Sequence, residues 1–384
     1  MEYYRNTEGK ADIASLFPSE MKEYLTEVSE KYGVKIEGFR AKQIFSWCAW
    51  GIYDFDEMTN VSAKIREVLK EDAYCTLPQV EVKLTSQIDG TIKYLFRLAD
   101  GECVESVFMR YEHGNTLCIS TQVGCRMGCT FCASTLGGLV RNLTASEMIG
   151  QILAAQKDTG ERISNIVMMG IGEPLDNYDN TVRFLRLVNE PEGLNIGQRH
   201  ISLSTCGLCD GIRRLADENF QITLSVSLHA PNAERRAKLM PVGRKYSLDE
   251  LMEACRYYLS KTGRRISFEY SMIRGENDTP ECARQLGDLL SGMLSHVNLI
   301  PLNPVKERDY EKSTRESIEE FKRALEKRHL TVTVRRRLGP DINASCGQLR
   351  RRGSCSDVPK QGVSRTDVSE TTMFQGECKF HGIV

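Results

Sequence analysis

Three cysteines within one short run are the residues of this chain best suited to metal chemistry. Cys125, Cys129 and Cys132 are separated by three and then two residues, which places three thiolates on one loop. Three ligands leave a tetrahedral zinc site incomplete, and they leave one iron of a cubane [4Fe-4S] cluster open to an outside ligand. The spacing therefore indicates a catalytic cluster. A zinc knuckle with a distant fourth ligand and three unrelated buried thiols are the alternatives.

The CxxxCxxC spacing resembles that of the radical S-adenosylmethionine (SAM) superfamily. In that superfamily the open iron chelates the amino acid end of SAM. The resemblance implies one [4Fe-4S] cluster held by Cys125, Cys129 and Cys132, with SAM as the second cofactor.

Strand-like and helical patterns alternate along the chain from residue 116 onward. The strand-like runs lie near Thr116–Thr121, Ile163–Met169, His200–Thr205, Ile222–Ser227, Ile266–Met272, Val297–Ile300 and Leu330–Val334. Capping boxes are predicted at Thr144 with Glu147, Ser247 with Glu250, and Ser313 with Glu316. Such alternation predicts parallel βαβ units, and about six units do not close an eightfold barrel. The predicted fold class is α/β, a partial (β/α)6 barrel that is open on one side.

Distinctive residues follow the carboxyl ends of the predicted strands, where parallel α/β barrels carry their catalytic loops. They are Gly170, Gly172 and Glu173 after the second strand, Ser204 in the third, Ser227, Leu228 and His229 at the fourth, Asn303 after the sixth and Cys346 after the last. We expect the two glycines to bring backbone close to a ligand and Glu173 to accept a hydrogen bond from an ammonium group. Ser204, Ser227 and Asn303 suit ribose and carboxylate groups, while His229 is either a ligand contact or a structural hydrogen-bonding group.

Six motifs taken together resemble one family within that superfamily, the bacterial RlmN family of radical SAM methyltransferases. They are GCRMGCTFCAS, MMGIGEPLDN, LSTCG, VSLHAPN, NLIPLNP and DINASCGQLR, which occur in family order from about 35 to 350. The resemblance implies methylation of carbon-2 of adenosine 2503 in 23S rRNA and of adenosine 37 in some tRNAs. It also implies a partial barrel preceded by a small helical RNA-binding domain, and SAM contacts at Gly172, Glu173, Ser204, Asn303 and 227–229.

Two further cysteines and one carboxylate gain roles only through this resemblance. It assigns Cys346 as the residue that carries a methyl group, Cys118 as its resolving partner and Glu105 as a proton acceptor. From the residues alone, Cys118 is predicted to be a core residue of a strand and Glu105 an exposed residue of another strand. Cys346, in a loop beside a glycine, is ambiguous.

Adenine carbon-2 is an electron-poor sp2 carbon, so direct polar transfer from SAM is unfavourable and a radical route avoids the obstacle. The resemblance implies that one SAM methylates Cys346 and that a second, cleaved at the cluster, gives a 5′-deoxyadenosyl radical. This radical removes hydrogen from the S-methyl group, and the resulting methylene radical adds to carbon-2. Cys118 then helps to remove the carbon-2 proton and resolves the thioether link, which leaves a transient disulfide between Cys118 and Cys346. Two SAM are consumed per methyl group.

The chain divides into four predicted parts. Residues 1–78 form a helical accessory domain for RNA, with a basic and aromatic helix start at 38–43. Residues 79–115 form a hairpin extension with turns at Asp89-Gly90 and Asp100-Gly101, and 116–352 form the barrel. Residues 353–384 are predicted to be a mobile tail, in which Cys355 and Cys378 offer additional metal binding only as an alternative.

Composition places the protein in the cytoplasm, without a membrane segment. Hydrophobic residues make up 41% and charged residues 27% of 384 positions, and no apolar run is long enough to span a bilayer. Fourteen cysteines in a reducing compartment do not indicate a disulfide framework, and most are predicted to pack in the core. The cysteines assigned to packing are Cys48, Cys75, Cys103, Cys206, Cys209, Cys255 and Cys282.

The net charge of −1 argues against wholesale coating of nucleic acid, but arginines cluster near the C-terminal end. The triplets at 335–337 and 350–352 indicate either solvated faces or a basic rim for an RNA backbone. The predicted partners are therefore 23S rRNA and tRNA. An electron donor such as flavodoxin or ferredoxin is also expected, and the protein is expected to be a monomer.

Two other functions compete with carbon-2 methylation. A carbon-8 adenine methyltransferase of the Cfr type shares the cluster and both catalytic cysteines. The residues Glu173 to Leu175 and Ile300 to Asn303 favour the carbon-2 branch. A zinc-containing RNA-binding module without catalytic activity is the third hypothesis.

Overall fold

Residues 3–349 are described by the computed structural model, so Arg350–Arg352 and the predicted tail with Cys355 and Cys378 lie outside the described residues. The strands are β1 (Ala11–Asp12), β2 (Ala73–Tyr74), β3 (Gln79–Thr85), β4 (Ile92–Arg97), β5 (Cys103–Met109), β6 (Asn115–Cys118), β7 (Gln122–Gly124), β8 (Leu139–Asn142), β9 (Ile163–Met168), β10 (Ile201–Thr205), β11 (Thr223–Ser227), β12 (Ile266–Met272), β13 (Ser295–Pro301) and β14 (Thr331–Val334). The helices are α1 (Pro18–Tyr32), α2 (Arg40–Ala49), α3 (Ala63–Asp72), α4 (Ala145–Thr159), α5 (Tyr178–Asn189), α6 (Cys209–Asp217), α7 (Ala233–Leu239), α8 (Leu248–Thr262), α9 (Pro280–Leu289) and α10 (Arg315–Glu326).

One ten-stranded sheet organises most of these elements, in the order β14-β13-β12-β11-β10-β9-β6-β5-β4-β3. Strand β6 and strands β9 to β14 run parallel to one another, with helices α4 to α10 in the connections between them. The prediction of an α/β partial barrel is confirmed, and every predicted barrel strand is present. Strands β3 to β5 pair antiparallel and extend the same sheet, so the predicted hairpins continue the barrel wall.

The alternation of side chains along the parallel strands creates the interior of the barrel. On β10 and β11, Leu203, Leu224 and Val226 are fully buried in the main hydrophobic core. Ser202 and Ser225 point to the other face, where their hydroxyl groups lie 3.2 Å apart. Because successive residues of a strand face opposite sides, small polar groups line the barrel interior while aliphatic groups pack against the helices.

The starts of the helices confirm two of the three predicted capping boxes. Those at the beginning of α4 and α8 are present. The one predicted at Ser313 is wrong, because Thr314 is the N-cap of α10 and accepts a hydrogen bond from the N–H of Ser317. Ser313 instead donates its hydroxyl to Asp278 at 2.7 Å. A long-range partner thus removes this serine from the cap, which local sequence does not reveal.

A second hydrophobic cluster lies among the N-terminal residues, from Tyr3 to Cys75. It includes buried side chains of α1, α2 and α3, as the helical spacing of apolar residues predicts. The two-residue strands β1 and β2 pair in parallel and were not predicted. Among the described residues, no helix has the length and apolar character required to cross a membrane.

Candidate active site

The cysteine loop lies between the two short strands β7 and β8, which form an antiparallel pair. Gly124 begins the loop at a φ of +79°, and a Cβ atom there would lie 1.9 Å from the carbonyl oxygen of Gly138. The N–H of Cys125 donates to that same oxygen at 2.9 Å. Farther along, the N–H of Thr130 donates to the carbonyl oxygen of Leu239 at the end of α7. The loop is therefore held at its start and in its middle.

Cys125, Cys129 and Cys132 all line one cavity at the carboxyl end of the barrel. Burial raises the pKa of each thiol, that of Cys125 to about 12. Unligated, these thiols are neutral, and a bound metal stabilises the thiolate forms. Within residues 3–349, no three metal-binding side chains converge on a point for a single ion. Cubane ligands need no such point, because each cysteine binds a different iron, so the loop fits a cluster.

The cavity has a volume of about 950 Å³, including the solvent space in its mouth. This is within the usual range for sites that take a ligand of SAM's size. Its walls bring together residues that the sequence assigned to separate strand ends: Gly172, Glu173, Ser204, Ser227, His229, Asn303 and Cys346. Leu228 does not line it. Its side chain is buried in the hydrophobic core, and its N–H donates to the carbonyl oxygen of Glu269.

Gly170 and Gly172 line the cavity, but their small size serves the contact between two protein segments. A Cβ atom on Gly170 would lie 2.5 Å from the carbonyl oxygen of Ile119. One on Gly172 would lie 2.7 Å from the side chains of Thr121 and Gln122. The loop after β9 therefore packs directly on the chain that leaves β6, which is one reason for both glycines. That they also bring backbone close to a ligand stays a prediction.

The carboxylate of Glu173 is buried and already has backbone partners. One oxygen accepts from the N–H of Cys206 at 2.7 Å, and the other accepts from the N–H of Leu175 at 3.1 Å. Burial raises its pKa, while the bond from Cys206 opposes that shift. Each carboxylate oxygen can accept more than one hydrogen bond. Glu173 can thus bind an ammonium group without losing its place in the loop.

His229 has a left-handed backbone conformation, which residues other than glycine rarely adopt. Its φ is +55°, and its Nδ1 accepts from the N–H of Ser271 at 2.9 Å. Burial, with a smaller contribution from Arg236, lowers its pKa to about 3. The ring is therefore neutral and carries its proton on Nε2, as the hydrogen bond at Nδ1 requires. Backbone strain of this kind is concentrated at functional sites.

Cys346 lies where two cavities meet. The second, smaller cavity is lined by Cys346 together with Tyr111, Arg335, Arg336 and Arg337. The carbonyl oxygen of Cys346 accepts a hydrogen bond from the Asn303 amide at 3.1 Å. The thiol lies close enough to Arg335 to be the main cause of that residue's raised pKa. Cys346 is therefore accessible both from the three-cysteine cavity and from the smaller, arginine-lined cavity, which we call the basic cleft.

Cys118 is buried at the end of β6, in a small cluster with Ala344 and Leu349. Its predicted place in the core is confirmed. Burial raises its pKa to about 12, and the second cause is the neighbouring Cys346. The structure therefore brings the two cysteines together, although Cys118 does not line the main cavity. All the cysteines of the described part are free thiols.

Glu105 differs most from what its position in the sequence indicated. A residue alternating along β5 was expected to be exposed, but Glu105 is 1% exposed. Its carboxylate forms an ion pair of 3.0 Å with Lys93 on the neighbouring strand β4. The Lys93 ammonium also donates to the carbonyl oxygen of Asn343, three residues before Cys346. Pairing with Lys93 is what makes the burial of this carboxylate tolerable.

Two residues of the site were assigned elsewhere by sequence reasoning. Arg335 was weighed only as one of a basic triplet, but it lines both cavities and lies 3.7 Å from the carboxylate of Glu269. Cys206 was assigned to packing and is buried, yet it also lines the main cavity. The signal for Arg335 was available, since it directly follows the last barrel strand.

Comparisons with known proteins agree with this site. Residues 119–286 match the Radical SAM superfamily, and residues 11–75 match the Ribosomal RNA large subunit methyltransferase N-terminal domain. A protein of Alkaliphilus oremlandii named "Probable dual-specificity RNA methyltransferase RlmN" is 59% identical over 89% of this chain and 98% of its own length. One of the same name from Clostridium novyi is 54% identical over 88% and 98%.

A solved structure gives the same result for the fold. The crystal structure of a radical SAM methyltransferase from Sphaerobacter thermophilus has a TM-score of 0.82 and 43% identity, and covers 88% of this chain and 98% of its own. The fold and the three-cysteine cavity thus define a radical SAM methyltransferase, whose cofactors are a [4Fe-4S] cluster and SAM. Within that class, the chain belongs to the RlmN family of RNA methyltransferases.

Proposed function

We propose that the protein methylates carbon-2 of adenosine 2503 in 23S rRNA and of adenosine 37 in tRNA. The observation that carries this proposal is the position of Cys346, which lines the three-cysteine cavity and the basic cleft at once. The names of the relatives favour the carbon-2 reaction and dual specificity over the carbon-8 enzyme and the zinc module.

The three cysteines of the loop hold the cluster, and the strand-end residues hold SAM. When bound, this pair of cofactors supplies an electron and a carbon-centred radical. Glu173 accepts from the ammonium group, while Ser204, Ser227 and Asn303 bind hydroxyl and carboxylate groups. His229 donates its Nε2 proton, since its Nδ1 is already bound to the N–H of Ser271. The main cavity, which these residues line, supports the assignment.

Cys346 accepts a methyl group on its sulfur and presents it to the RNA base. This first step requires a thiolate, and the guanidinium of Arg335 lies beside the thiol to stabilise its negative charge. The bond from Asn303 to the carbonyl oxygen of Cys346 holds the loop, so that the sulfur stays between the two cavities. Asn303 thus positions Cys346, and Arg335 stabilises its thiolate.

Cys118 and Glu105 complete the reaction on the other side of Cys346. The adduct first gives up the carbon-2 proton and returns one electron to the bound cofactors. The thiolate of Cys118 then attacks the sulfur of Cys346, the bond from that sulfur to the base-bound carbon breaks, and the released carbon takes up a proton to become the methyl group. Cys118 must lose its proton for this step, because its pKa of about 12 keeps it neutral beforehand. Glu105 serves as the proton acceptor, and Lys93 at 3.0 Å holds its carboxylate near the Cys346 loop.

The RNA approaches through the smaller cavity. Tyr111 and His113 stack with their ring centroids 5.1 Å apart, next to the exposed Arg336 and Arg337. Arginines bind phosphates and aromatic rings bind unstacked bases. Residues 1–78 form a second RNA contact, with the exposed ring of Phe39 and its neighbour Arg40 at the start of α2.

The remaining partners follow from this reaction. A flavodoxin or ferredoxin supplies the low-potential electron, and the ribosomal RNA substrate implies the cytoplasm. The enzyme is proposed to act as a monomer. The chain is proposed to divide into four parts, with boundaries after residues 78, 115 and 352.

Product analysis tests this function. The full-length protein is reconstituted anaerobically with iron and sulfide, given SAM, a reductant and either a 23S rRNA fragment or tRNA, and the digested RNA is analysed by mass spectrometry. We expect 2-methyladenosine at both positions, and none from Cys346→Ala. Finding 8-methyladenosine instead, or a zinc-loaded protein without iron absorbance near 400 nm, would overturn the proposal.

A further inference from the structure

Arg236 is a buried arginine without an ion-pair partner among the described residues. It lies on α7, it is 1% exposed, and it is among the largest fully buried side chains of the protein. Its Nε and Nη1 atoms have no hydrogen-bond partner. Taking such a charge out of water costs several kcal/mol unless an opposite charge compensates it. Within residues 3–349, no carboxylate forms an ion pair with this guanidinium. The buried charge therefore requires an anion of another kind.

The space around the guanidinium is shaped for it. Its Nη2 donates to the carbonyl oxygen of Cys206 at 2.7 Å. A Cβ atom on Gly207 would lie 2.7 Å from Nη2, and one on Gly243 would lie 3.2 Å from Nη1. Two glycines thus leave room for the guanidinium group at both of its Nη atoms. Such a fit holds the charge at one point, which a flexible surface arginine does not do.

Cysteines are the ionisable neighbours that act on this charge. Burial lowers the pKa of Arg236, and the ionised forms of Cys206, Cys209 and Cys129 oppose that shift. Of these, Cys129 belongs to the three-cysteine loop, and Cys206 lines the same cavity. Arg236 also helps to lower the pKa of His229, another wall residue of the cavity. The bond to the carbonyl oxygen of Cys206, a wall residue of the cavity, fixes the positive charge directly behind the wall of the proposed cluster site.

We propose that Arg236 is the buried counter-cation of the iron–sulfur cluster and favours its reduced form. This inference rests on the proposed function, because it requires the three cysteines to hold a cluster. A [4Fe-4S] cluster with three thiolates carries a net negative charge, and reduction adds one more. A fixed positive charge in a low-dielectric wall stabilises the reduced state more than the oxidised state, which raises the potential. Arg236 is a positioning residue and does not touch the substrate.

A purely structural role is the competing explanation. The backbone of Cys206 joins Arg236 to Glu173, because its carbonyl oxygen accepts from Arg236 and its N–H donates to Glu173. Arg236 could then serve only to hold the loop after β10. The two roles differ in their consequences, since a clamp changes the stability of the protein without cluster and a counter-cation changes the cluster potential.

The test uses the reconstituted full chain and redox titrations followed by electron paramagnetic resonance. Arg236→Gln removes the charge but keeps a donor for the Cys206 carbonyl, and Arg236→Lys keeps the charge. Arg213→Gln, on the solvent side of α6, is the matched control. We expect the Gln variant to show at least a tenfold lower ratio of reduced to oxidised cluster at fixed poise, a shift of 59 mV to more negative potential. The Lys variant and the control should stay near wild type.

The remaining outcomes of this experiment also distinguish a counter-cation from a structural clamp. A wild-type potential in a fully loaded Arg236→Gln protein overturns the proposal. So does a Gln variant whose cluster-free form melts well below the wild-type cluster-free form, because that marks a structural clamp. If the Gln variant folds but holds less iron, recovery of iron in Arg236→Lys supports the counter-cation and its failure overturns it. If the wild type itself binds no cluster, the proposed function fails first, which separates the two claims.

Discussion

At the scale of single residues, burial keeps four cysteines of the site neutral until a partner ionises them. The three loop thiols and Cys118 all have raised pKa values because they are buried. Sequence alone predicted the loop from its spacing, but it could not predict that Glu105 is buried. Its partner Lys93 lies on the next strand, and only the sheet register brings the two together.

The pair formed by Cys118 and Cys346 gives a prediction about trapped protein. With Cys118→Ala the adduct between Cys346 and RNA should persist, since no second thiol is present to release it. We expect a covalent protein–RNA band on a denaturing gel, and neither band nor methylated RNA with Cys346→Ala. Cys282→Ala, which changes a buried thiol on α9, is the control and should behave as wild type. Free methylated RNA from Cys118→Ala at the wild-type rate would disprove the resolving role.

His229 gives a prediction about the pH dependence of stability. Its pKa is about 3 in the folded protein and 6.5 in the unfolded chain, so only the unfolded chain binds a proton between these values. Stability is therefore lost as the pH falls through this window, by about 2 kcal/mol at pH 5. Urea unfolding of the cluster-free protein at pH 7.5 and 5.0 should show this extra loss in wild type but not in His229→Asn. Equal losses in both proteins would contradict the assignment.

At the scale of elements, the long alternation of strands and helices was predictable from the sequence. Very short strands, and a helix start that depends on a residue distant in the sequence, were not. The barrel strands were found because apolar runs and helices alternate over a long stretch. The strands β1, β2 and β7 are two or three residues long, too short to show a period. The cap of α10 was misplaced by one residue because Ser313 is bound to Asp278, far away in the sequence.

The close packing of the loop after β9 gives a prediction about a single glycine. A methyl group on Gly170 would lie 2.5 Å from the Ile119 carbonyl oxygen, so Gly170→Ala must push two backbone segments apart. We expect the free energy of unfolding to fall by about 1–3 kcal/mol, measured by urea denaturation. Gly193→Ala is the control, because the nearest atom to its Cβ would be 3.5 Å away. A Gly170→Ala protein as stable as the control would refute this packing argument.

At the scale of the whole molecule, one sheet joins the barrel to the strands that precede it. Strand β5 contributes Glu105, β6 contributes Cys118, and the chain after β14 contributes Cys346. Since β14 is an edge of the sheet, the return of the chain from this edge to β6 completes the site. The strand-end rule predicted which loops meet. It could not predict that the three arginines of the basic triplet differ in position. Arg335 lines the main cavity, whereas Arg336 and Arg337 are exposed.

Arg336 and Arg337 give a prediction about the salt dependence of RNA binding. Both are exposed, and neither forms an ion pair with an acidic residue of the described part. Each phosphate contact contributes about 0.7–0.9 to the slope of log affinity against log salt concentration. The double change Arg336→Gln and Arg337→Gln should lower the slope for tRNA by about 1.5. Arg284→Gln, whose side chain pairs with Glu281, should leave it unchanged. An unaltered slope in the double variant would exclude the cleft as the RNA path.

The transfer of a methyl group through the protein is the central claim, and isotope labelling tests it most directly. Protein that already carries an unlabelled methyl group on Cys346 is reconstituted, given SAM with a deuterated methyl group, and allowed to turn over on RNA. The first product per enzyme should be unlabelled 2-methyladenosine, and deuterium should appear only in later turnovers. Deuterium in the first product, or a methyl group on carbon-8, would contradict the account.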